Sequence, residues 1–137
     1  MEYIQDLIPK NKKNRANEPC SMQYITVHET ANEKKGAGAK NHAKYLKTLN
    51  EYKSWHYTVD DKCVCQHIPD NEKSYHTSSR IANEKSIAVE ICVNSDGDFE
   101  KAKENASELI SGLMLLHNIP AERIVTHKYW TGKNCPA

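Results

Sequence analysis

The sequence feature that most constrains the fold is the apolar run SIAVEICV at residues 86–93. Seven of its eight positions hold small or apolar side chains. Such a run is typical of a strand that lies inside a sheet and is covered on both faces. The exception is Glu90, whose carboxylate costs free energy to bury unless it is paired or hydrated. The run therefore predicts a central strand that carries one unusual acidic side chain.

The segments around this run predict an α/β domain. Residues 99–118 have the strongest helical pattern, because apolar side chains recur on one face, Asp98 can cap the first turn and Pro120 follows the end. The other predicted elements are a strand at 24–28, a loop at 32–38, a helix at 39–50, a β-hairpin at 56–67, a short strand at 124–127 and an irregular lead-in at 1–23. This order predicts a single domain over residues 1–137, with a central mixed β-sheet flanked by α-helices.

Charge and hydropathy exclude several classes of protein. The formal net charge is +1, from 19 basic and 18 acidic residues, which argues against a nucleic-acid partner or a purely electrostatic membrane surface. No apolar run approaches the roughly 20 residues that span a bilayer, so we expect no membrane insertion. The opening MEYIQDLIPKNKKNR lacks the apolar core of a signal peptide. We therefore expect synthesis in the cytoplasm without a signal peptide, with another component delivering the protein if its substrate lies outside the membrane.

The cysteines do not form an obvious disulfide framework, because there are five of them and the chain is long enough to fold without one. Cys63 and Cys65 alternate onto one face of the predicted hairpin. They could form a second metal site with Cys20, or they could be buried thiols.

Three potential metal ligands lie at or after strand ends. His28 ends the first predicted strand, His127 ends the last, and Cys135 follows eight positions later. Two imidazoles and one thiolate are good zinc ligands, and three protein ligands leave the fourth tetrahedral position for water. The alternative is that both histidines are satisfied strand-end residues and Cys135 is an ordinary thiol.

Glu90 and Lys133 are candidates for chemistry beside such a site. Alternation places Glu90 on the face opposite Ile87 and Val89, among small neighbours that leave room for a groove. Glu90 could be a general base, a solvent-facing residue or the partner of a lysine. Lys133 lies two positions before Cys135, so it could stabilise an oxyanion near a bound metal, or it could be an exposed loop lysine.

Seven stretches carry a resemblance to a known family: YITVHETAN (24–32), NHAKYLK (41–47), SWHYTVDD (54–61), QHIPDNE (66–72), SIAVEICVN (86–94), GDFEKAKENA (97–106) and IVTHKYWTGKNCP (124–136). Together they resemble the zinc-dependent N-acetylmuramoyl-L-alanine amidases of type 2, found in phage endolysins and bacterial autolysins. The fold of that family is shared by T7 lysozyme and the peptidoglycan-recognition proteins. The resemblance covers nearly the whole chain in the right order.

The resemblance implies roles for particular residues. It implies one zinc ion per chain, with ligands His28, His127 and Cys135, and catalytic roles for Glu90 and Lys133. His76 matches a histidine near the substrate groove of relatives, which implies a substrate contact. Trp55 stands where many relatives have a tyrosine, so a mechanism through a phenol is in doubt and Glu90 becomes more important. The indole of Trp55 could line the groove as a substrate contact or belong to the core.

The resemblance also implies an activity and a setting. The activity is hydrolysis of the amide bond between N-acetylmuramic acid and L-alanine in peptidoglycan, by an enzyme that reaches the cell wall with the help of a holin. We also expect the protein to be a monomer. Relatives usually continue beyond the Cys-Pro pair, so we expect a catalytic domain truncated at its C-terminus and a missing cell-wall-binding domain.

Two other functions stay open on the sequence. One is a non-catalytic peptidoglycan-binding module, which the presence of Cys135, Glu90 and Lys133 together disfavours. The other is a structural zinc or metal-free interaction domain, which a fourth protein ligand would favour.

Overall fold

A six-stranded mixed β-sheet organises the computed structural model, which describes residues 1–136. Its strands are β1 (Glu2–Gln5), β2 (Tyr24–Glu29), β3 (Tyr57–Val59), β4 (Cys63–Gln66), β5 (Ser86–Ile91) and β6 (Ile124–Thr126). Across the sheet they lie in the order β1-β4-β3-β5-β2-β6. The predicted hairpin is the antiparallel pair β3 and β4, and the other neighbouring strands are parallel. The predicted α/β fold with a central mixed sheet is confirmed.

The helices contact this sheet. They are α1 (Ala39–Thr48), α2 (Arg80–Lys85), α3 (Phe99–His117) and α4 (His127–Thr131), and a 3₁₀ turn at Ala121–Arg123 precedes β6. The predicted cap of α3 is present, because the Asp98 side chain accepts a hydrogen bond from the backbone N–H of Lys101 at 3.1 Å. Asn118 ends the helix in the left-handed conformation that such ends favour. Both predicted helices are confirmed, whereas the two shorter ones were not predicted.

None of the helices in the described part of the chain has the length and apolar character that a membrane span requires.

Both faces of β5 are covered, as the apolar run predicts. Ile87 and Val89 are fully buried in a cluster that includes Leu109 and Leu113 of α3. On the opposite face, Ala88 packs in a second cluster with Ile8, Leu46, Trp55 and Ile68. Burial of each large aliphatic side chain stabilises the fold by about 1.5–3 kcal/mol. The carboxyl end of β5, where Glu90 lies, is therefore held between two packed layers.

The prediction of an irregular lead-in at 1–23 is wrong at its start. Residues Glu2–Gln5 form β1, which pairs in parallel with β4 at the edge of the sheet. Three of the four side chains of β1 are exposed, so the strand has no apolar alternation for sequence reasoning to detect.

The rest of the lead-in is fixed by Arg15. This side chain is buried, donates to both carboxylate oxygens of Glu72 at 2.7 and 2.8 Å, and donates to the Ile8 carbonyl at 2.6 Å. A guanidinium that pairs with both oxygens of a carboxylate has a preferred and specific geometry. The lead-in is therefore anchored to the loop that follows β4.

Replacing Arg15 by Met is expected to lower the free energy of unfolding at pH 7 by about 3 kcal/mol, the lower end for breaking a buried ion pair. The value is low in that range because the Glu72 side chain is 22% exposed. Arg15 holds the pKa of Glu72 below its ordinary value. The contribution of the pair is therefore complete above that ordinary value and is lost as the pH falls through the lowered one.

Urea unfolding at several pH values measures this effect, and the difference between wild type and variant should shrink below about pH 4. Arg80→Met is the matched control, because Arg80 pairs with Glu84 on the surface and should contribute little. Equal effects of the two substitutions at pH 7 would contradict the anchoring role of Arg15.

The cysteines are all free thiols, and four of them are buried. Cys63 and Cys65 lie in a small cluster with Ala39 and Ala43 of α1. The Cys20 sulfur lies instead 3.5 Å from the Ser86 carbonyl oxygen. Within residues 1–136, Cys20, Cys63 and Cys65 do not form a metal-binding group, so the interpretation as buried thiols fits the structure.

Candidate active site

The carboxyl ends of three parallel strands bring the predicted site residues together. His28 is the penultimate residue of β2 and lies opposite Glu90 of β5 in the strand register. On the other side of β2, Val27 pairs with Thr126, the last residue of β6. His127 follows directly and begins α4, one residue beyond its predicted place at the strand end. Parallel strands end on the same edge of a sheet, so residues that are far apart in sequence meet here.

The potential metal ligands His28, His127 and Cys135 converge in space. One ligand atom from each residue lies within 4.8 Å of the others. The distance from Cys135 Sγ to His28 Nδ1 is 3.6 Å. Zn–S and Zn–N bonds of about 2.3 and 2.05 Å at a tetrahedral angle place sulfur and nitrogen about 3.6 Å apart. The observed separation therefore fits two ligands of one tetrahedral ion.

His127 supplies an independent indication of a missing partner. Its Nδ1 atom is buried and has no hydrogen-bond partner among residues 1–136. Buried polar atoms in folded proteins are almost always paired, so an orphaned ring nitrogen needs an explanation. A cation bound between His127 and the two other ligands would provide it, and the donor set of two nitrogens and one sulfur suits zinc.

Both imidazoles are in the form that binds metal. Burial lowers the pKa of His28 to about 3, with smaller effects in the same direction from His127 and Lys133. Burial and Lys133 also lower the pKa of His127. Metal ligation requires neutral imidazole, so neither ring must lose a proton before it binds an ion near pH 7.

Glu90 lies beside this cluster in an unusual electrostatic environment. Burial raises the pKa of its carboxyl group to about 8, although the cations of Lys53 and Lys133 act in the opposite direction. A carboxyl group with a pKa near neutrality can both accept and return a proton at neutral pH. The carboxyl group is therefore suited to acid–base work, and Lys53 and Lys133 are the cations that act on it.

An open groove runs past the cluster. It has a volume of about 670 Å³ and is lined by Tyr52, Lys53, residues 75–78, His127 and residues 131–133. Lys133 is an exposed member of this lining, so it is both a loop lysine and a neighbour of His127. Lys53, Tyr52 and Tyr75 were not predicted, because loop residues of ordinary composition carry no local sequence signal.

His76 was predicted as a substrate contact, and the structure places it in the lining of the groove with its ring hydrogen-bonded to His28. Its side chain is 8% exposed. Its Nδ1 lies 2.9 Å from His28 Nε2, and its Nε2 lies 3.0 Å from Ser86 Oγ. Both ring nitrogens are therefore occupied by protein partners, which leaves no free polar atom for a substrate.

Trp55 was predicted as a second substrate contact, with the core as the alternative. The structure places it in the core, where it is 3% exposed and packs with Leu46 and Ile68. Its indole N–H donates to Thr58 Oγ1 at 2.6 Å. The ring has almost no surface on which a ligand could pack, so the groove-lining interpretation does not agree with the structure.

Comparisons with known proteins agree with this architecture. The Amidase_2 family model, described as N-acetylmuramoyl-L-alanine amidase, matches residues 17–137. The chain is 50% identical over 135 residues to the N-acetylmuramoyl-L-alanine amidase CwlH of Bacillus subtilis (strain 168), which covers 96% of this chain and 54% of CwlH. It is also 50% identical over 138 residues to XlyA of the same organism, covering 99% of this chain and 46% of XlyA. The chain thus spans about half the length of these two relatives.

Solved structures give the same result at the level of the fold. The catalytic domain of XlyA is similar with a TM-score of 0.97 and 48% identity, over 99% of this chain and 90% of that chain. Wild-type Drosophila PGRP-LB has a TM-score of 0.67 at 12% identity, over 99% of this chain and 88% of that chain, and shares the fold alone. Because the family model spans nearly the whole sequence and the ligand cluster lies within the matched region, the chain belongs to the N-acetylmuramoyl-L-alanine amidase family.

Proposed function

We propose that the chain hydrolyses the amide bond between N-acetylmuramic acid and L-alanine in bacterial peptidoglycan, with one zinc ion held by His28, His127 and Cys135. The observation that supports this most strongly is the convergence of two neutral imidazoles and a thiol, with a tetrahedral separation and an orphaned ring nitrogen, next to Glu90. Membership of the amidase family supports the choice of substrate.

Each residue has a distinct task in this reaction. Zinc, when bound, supplies an activated water and polarises the scissile carbonyl. Glu90 takes the proton of the attacking water and later returns it to the leaving amine of L-alanine. Lys133, on the wall of the groove, stabilises the negative charge that develops on the carbonyl oxygen. The two histidine ligands hold their geometry because both are buried, His28 near the end of β2 and His127 directly after β6.

The alternative functions are less well supported. A structural zinc site requires four protein ligands, whereas the cluster within residues 1–136 has three. A non-catalytic binding module would not need a carboxyl group with a raised pKa beside the ligands. The proposal includes action as a monomer, and it includes release to the wall with the help of a holin, in line with the resemblance to endolysins.

Lys133→Ala is expected to lower kcat about 100-fold with little change in zinc content, since such donors typically contribute 10²–10³ and this one is exposed. Initial rates on peptidoglycan, together with the zinc content of each protein, measure the effect. Lys128→Ala is the control, because Lys128 is an exposed lysine of α4 that does not line the groove. A variant at 133 with the same rate as the variant at 128 would remove Lys133 from the mechanism.

Product analysis tests the proposed function. Purified Gram-positive peptidoglycan is incubated with the protein, with and without a chelator, and the products are identified by mass spectrometry. We expect intact stem peptides with new L-alanine amino ends, and we expect the chelator to prevent their release. New reducing sugar ends would indicate a glycosidase, and binding without any product would indicate a recognition module.

A further inference from the structure

A chain of buried hydrogen bonds leads from His28 away from the groove and into the sheet. His28 Nε2 lies 2.9 Å from His76 Nδ1, and His76 Nε2 lies 3.0 Å from Ser86 Oγ. The Ser86 hydroxyl in turn lies 2.7 Å from the Ala82 carbonyl oxygen, in the last turn of α2. His28, His76 and Ser86 are each no more than 8% exposed. They link a proposed metal ligand to the protein interior through defined partners.

At the Ser86 end of this series of hydrogen bonds, the donor and the acceptor of each bond are fixed. A carbonyl oxygen can only accept, so the single hydroxyl hydrogen of Ser86 is donated to Ala82. The Trp130 indole N–H can only donate, and it donates to Thr26 Oγ1 at 2.9 Å. Thr26 then donates its own hydrogen to Ser86 Oγ at 2.8 Å. The Ser86 oxygen therefore has no hydrogen left to give to His76 and accepts from it instead.

The acceptor role of Ser86 determines which nitrogen carries the hydrogen in each of the two histidine rings. His76 carries its hydrogen on Nε2. Its ring is buried and its hydrogen-bond partners, His28 and Ser86, carry no negative charge, so a second hydrogen and its positive charge would be unpaired and Nδ1 acts as the acceptor. His28 must then carry its hydrogen on Nε2 in order to donate to His76. Its Nδ1 is left with a free lone pair, and this is the atom that lies 3.6 Å from Cys135 Sγ.

We propose that His76, oriented by Ser86, is a positioning residue that fixes the tautomer of His28 in which Nδ1 is free to bind the metal. The inference rests on the metal site of the proposed function and assigns His76 a role other than substrate contact. Outer partners of this kind typically change metal affinity by about 10–100-fold when they are removed. Ser86 acts through His76 and touches neither metal nor substrate.

The tautomers can be measured directly on the wild-type protein without metal. Long-range ¹H–¹⁵N NMR spectra distinguish a histidine that carries its hydrogen on Nε2 from one that carries it on Nδ1. We expect the Nε2–H form for both His28 and His76. An Nδ1–H form for either ring would overturn the proposal, whatever the activity of the protein.

Three variants test the consequence for zinc affinity, measured by competition with a chelator. Ser86→Ala and His76→Leu each break the series of hydrogen bonds from Ser86 through His76 to His28. Both substitutions should raise the zinc Kd about 10–100-fold. His76→Asn should recover most of the affinity, because its amide oxygen can accept from His28 where Nδ1 does. The visible spectrum of the cobalt-substituted proteins reports separately whether the ligand geometry has changed.

Thr26→Val is the matched control, because it deletes the hydrogen bonds from Thr26 to Ser86 and from Trp130 to Thr26 and leaves the bonds that join Ser86, His76 and His28 in place. Both Ser86→Ala and Thr26→Val should lower the thermal stability of the metal-free protein, but only Ser86→Ala should weaken zinc binding. Equal zinc Kd values for these two variants would overturn the inference. If the wild-type protein binds no zinc, the proposed function fails together with this inference. If the wild type binds zinc but the two variants have equal Kd values, the inference alone fails.

Discussion

Replacing Glu90 by Gln is expected to lower kcat for peptidoglycan hydrolysis by about 10²–10⁴-fold, the usual contribution of a positioned general base. Glutamine has nearly the same shape as glutamate but cannot take a proton from the attacking water. The zinc content should not change, because Glu90 is a neighbour of the ligand cluster and not a member of it. Rates on peptidoglycan and metal analysis of the same samples measure both quantities.

The matched control for this substitution is Glu29→Gln. Glu29 is the last residue of β2, next to His28, and strand alternation directs its side chain to the opposite face of the sheet. We expect this variant to hydrolyse peptidoglycan at nearly the normal rate. If Glu90→Gln also retained a near-normal rate, Glu90 would not be the base.

Replacing Cys135 by Ala is expected to weaken zinc binding by more than the roughly 100-fold that marks outer partners, because it removes one of three direct ligands. Hydrolysis should be lost at ordinary zinc concentrations. Competition with a chelator measures the zinc affinity of the variant. Rates at increasing zinc concentration show whether the variant is inactive because it binds zinc weakly or because it is inactive even with zinc bound. Partial recovery of the rate at high zinc would indicate that the two histidines still bind the ion.

Cys63→Ala is the control for thiol loss, because Cys63 is buried against α1 in β4 and lies outside the ligand cluster. It should keep the zinc affinity of the wild type. A Cys135→Ala protein that retained full zinc content and full rate would contradict the proposed coordination.

The parts of the fold that the sequence predicts are those with strong local patterns. The apolar run of β5 is nearly continuous because both faces of the strand are covered, and the stripe of α3 repeats over several helical turns, so both patterns are visible in the sequence. β1 lacked this signal because it is an edge strand with mostly exposed side chains. α2 and α4 have six and five residues, which is too short for a helical period to repeat.

The site shows the same division between local and long-range information. His28 and Cys135 are separated by 107 positions, and only the parallel pairing of β2 with β5 and β6 brings their surroundings together. Residue types and family resemblance suggested the ligands before any contact was known. The positions of His76 and Trp55 depend on packing across the sheet. Resemblance placed His76 near the groove, and the sequence left both the groove and the core open for Trp55. The structure pairs both ring nitrogens of His76 with protein partners and buries Trp55 in the core.

X-ray absorption at the zinc edge of the purified, zinc-loaded protein tests the central claim most directly. We expect one zinc per chain with a single sulfur neighbour at about 2.3 Å, two imidazole nitrogens at about 2.0–2.1 Å and one further light atom. A spectrum without sulfur, or one fitted by four protein ligands, would show that the ion is not held by His28, His127 and Cys135 with an open fourth position.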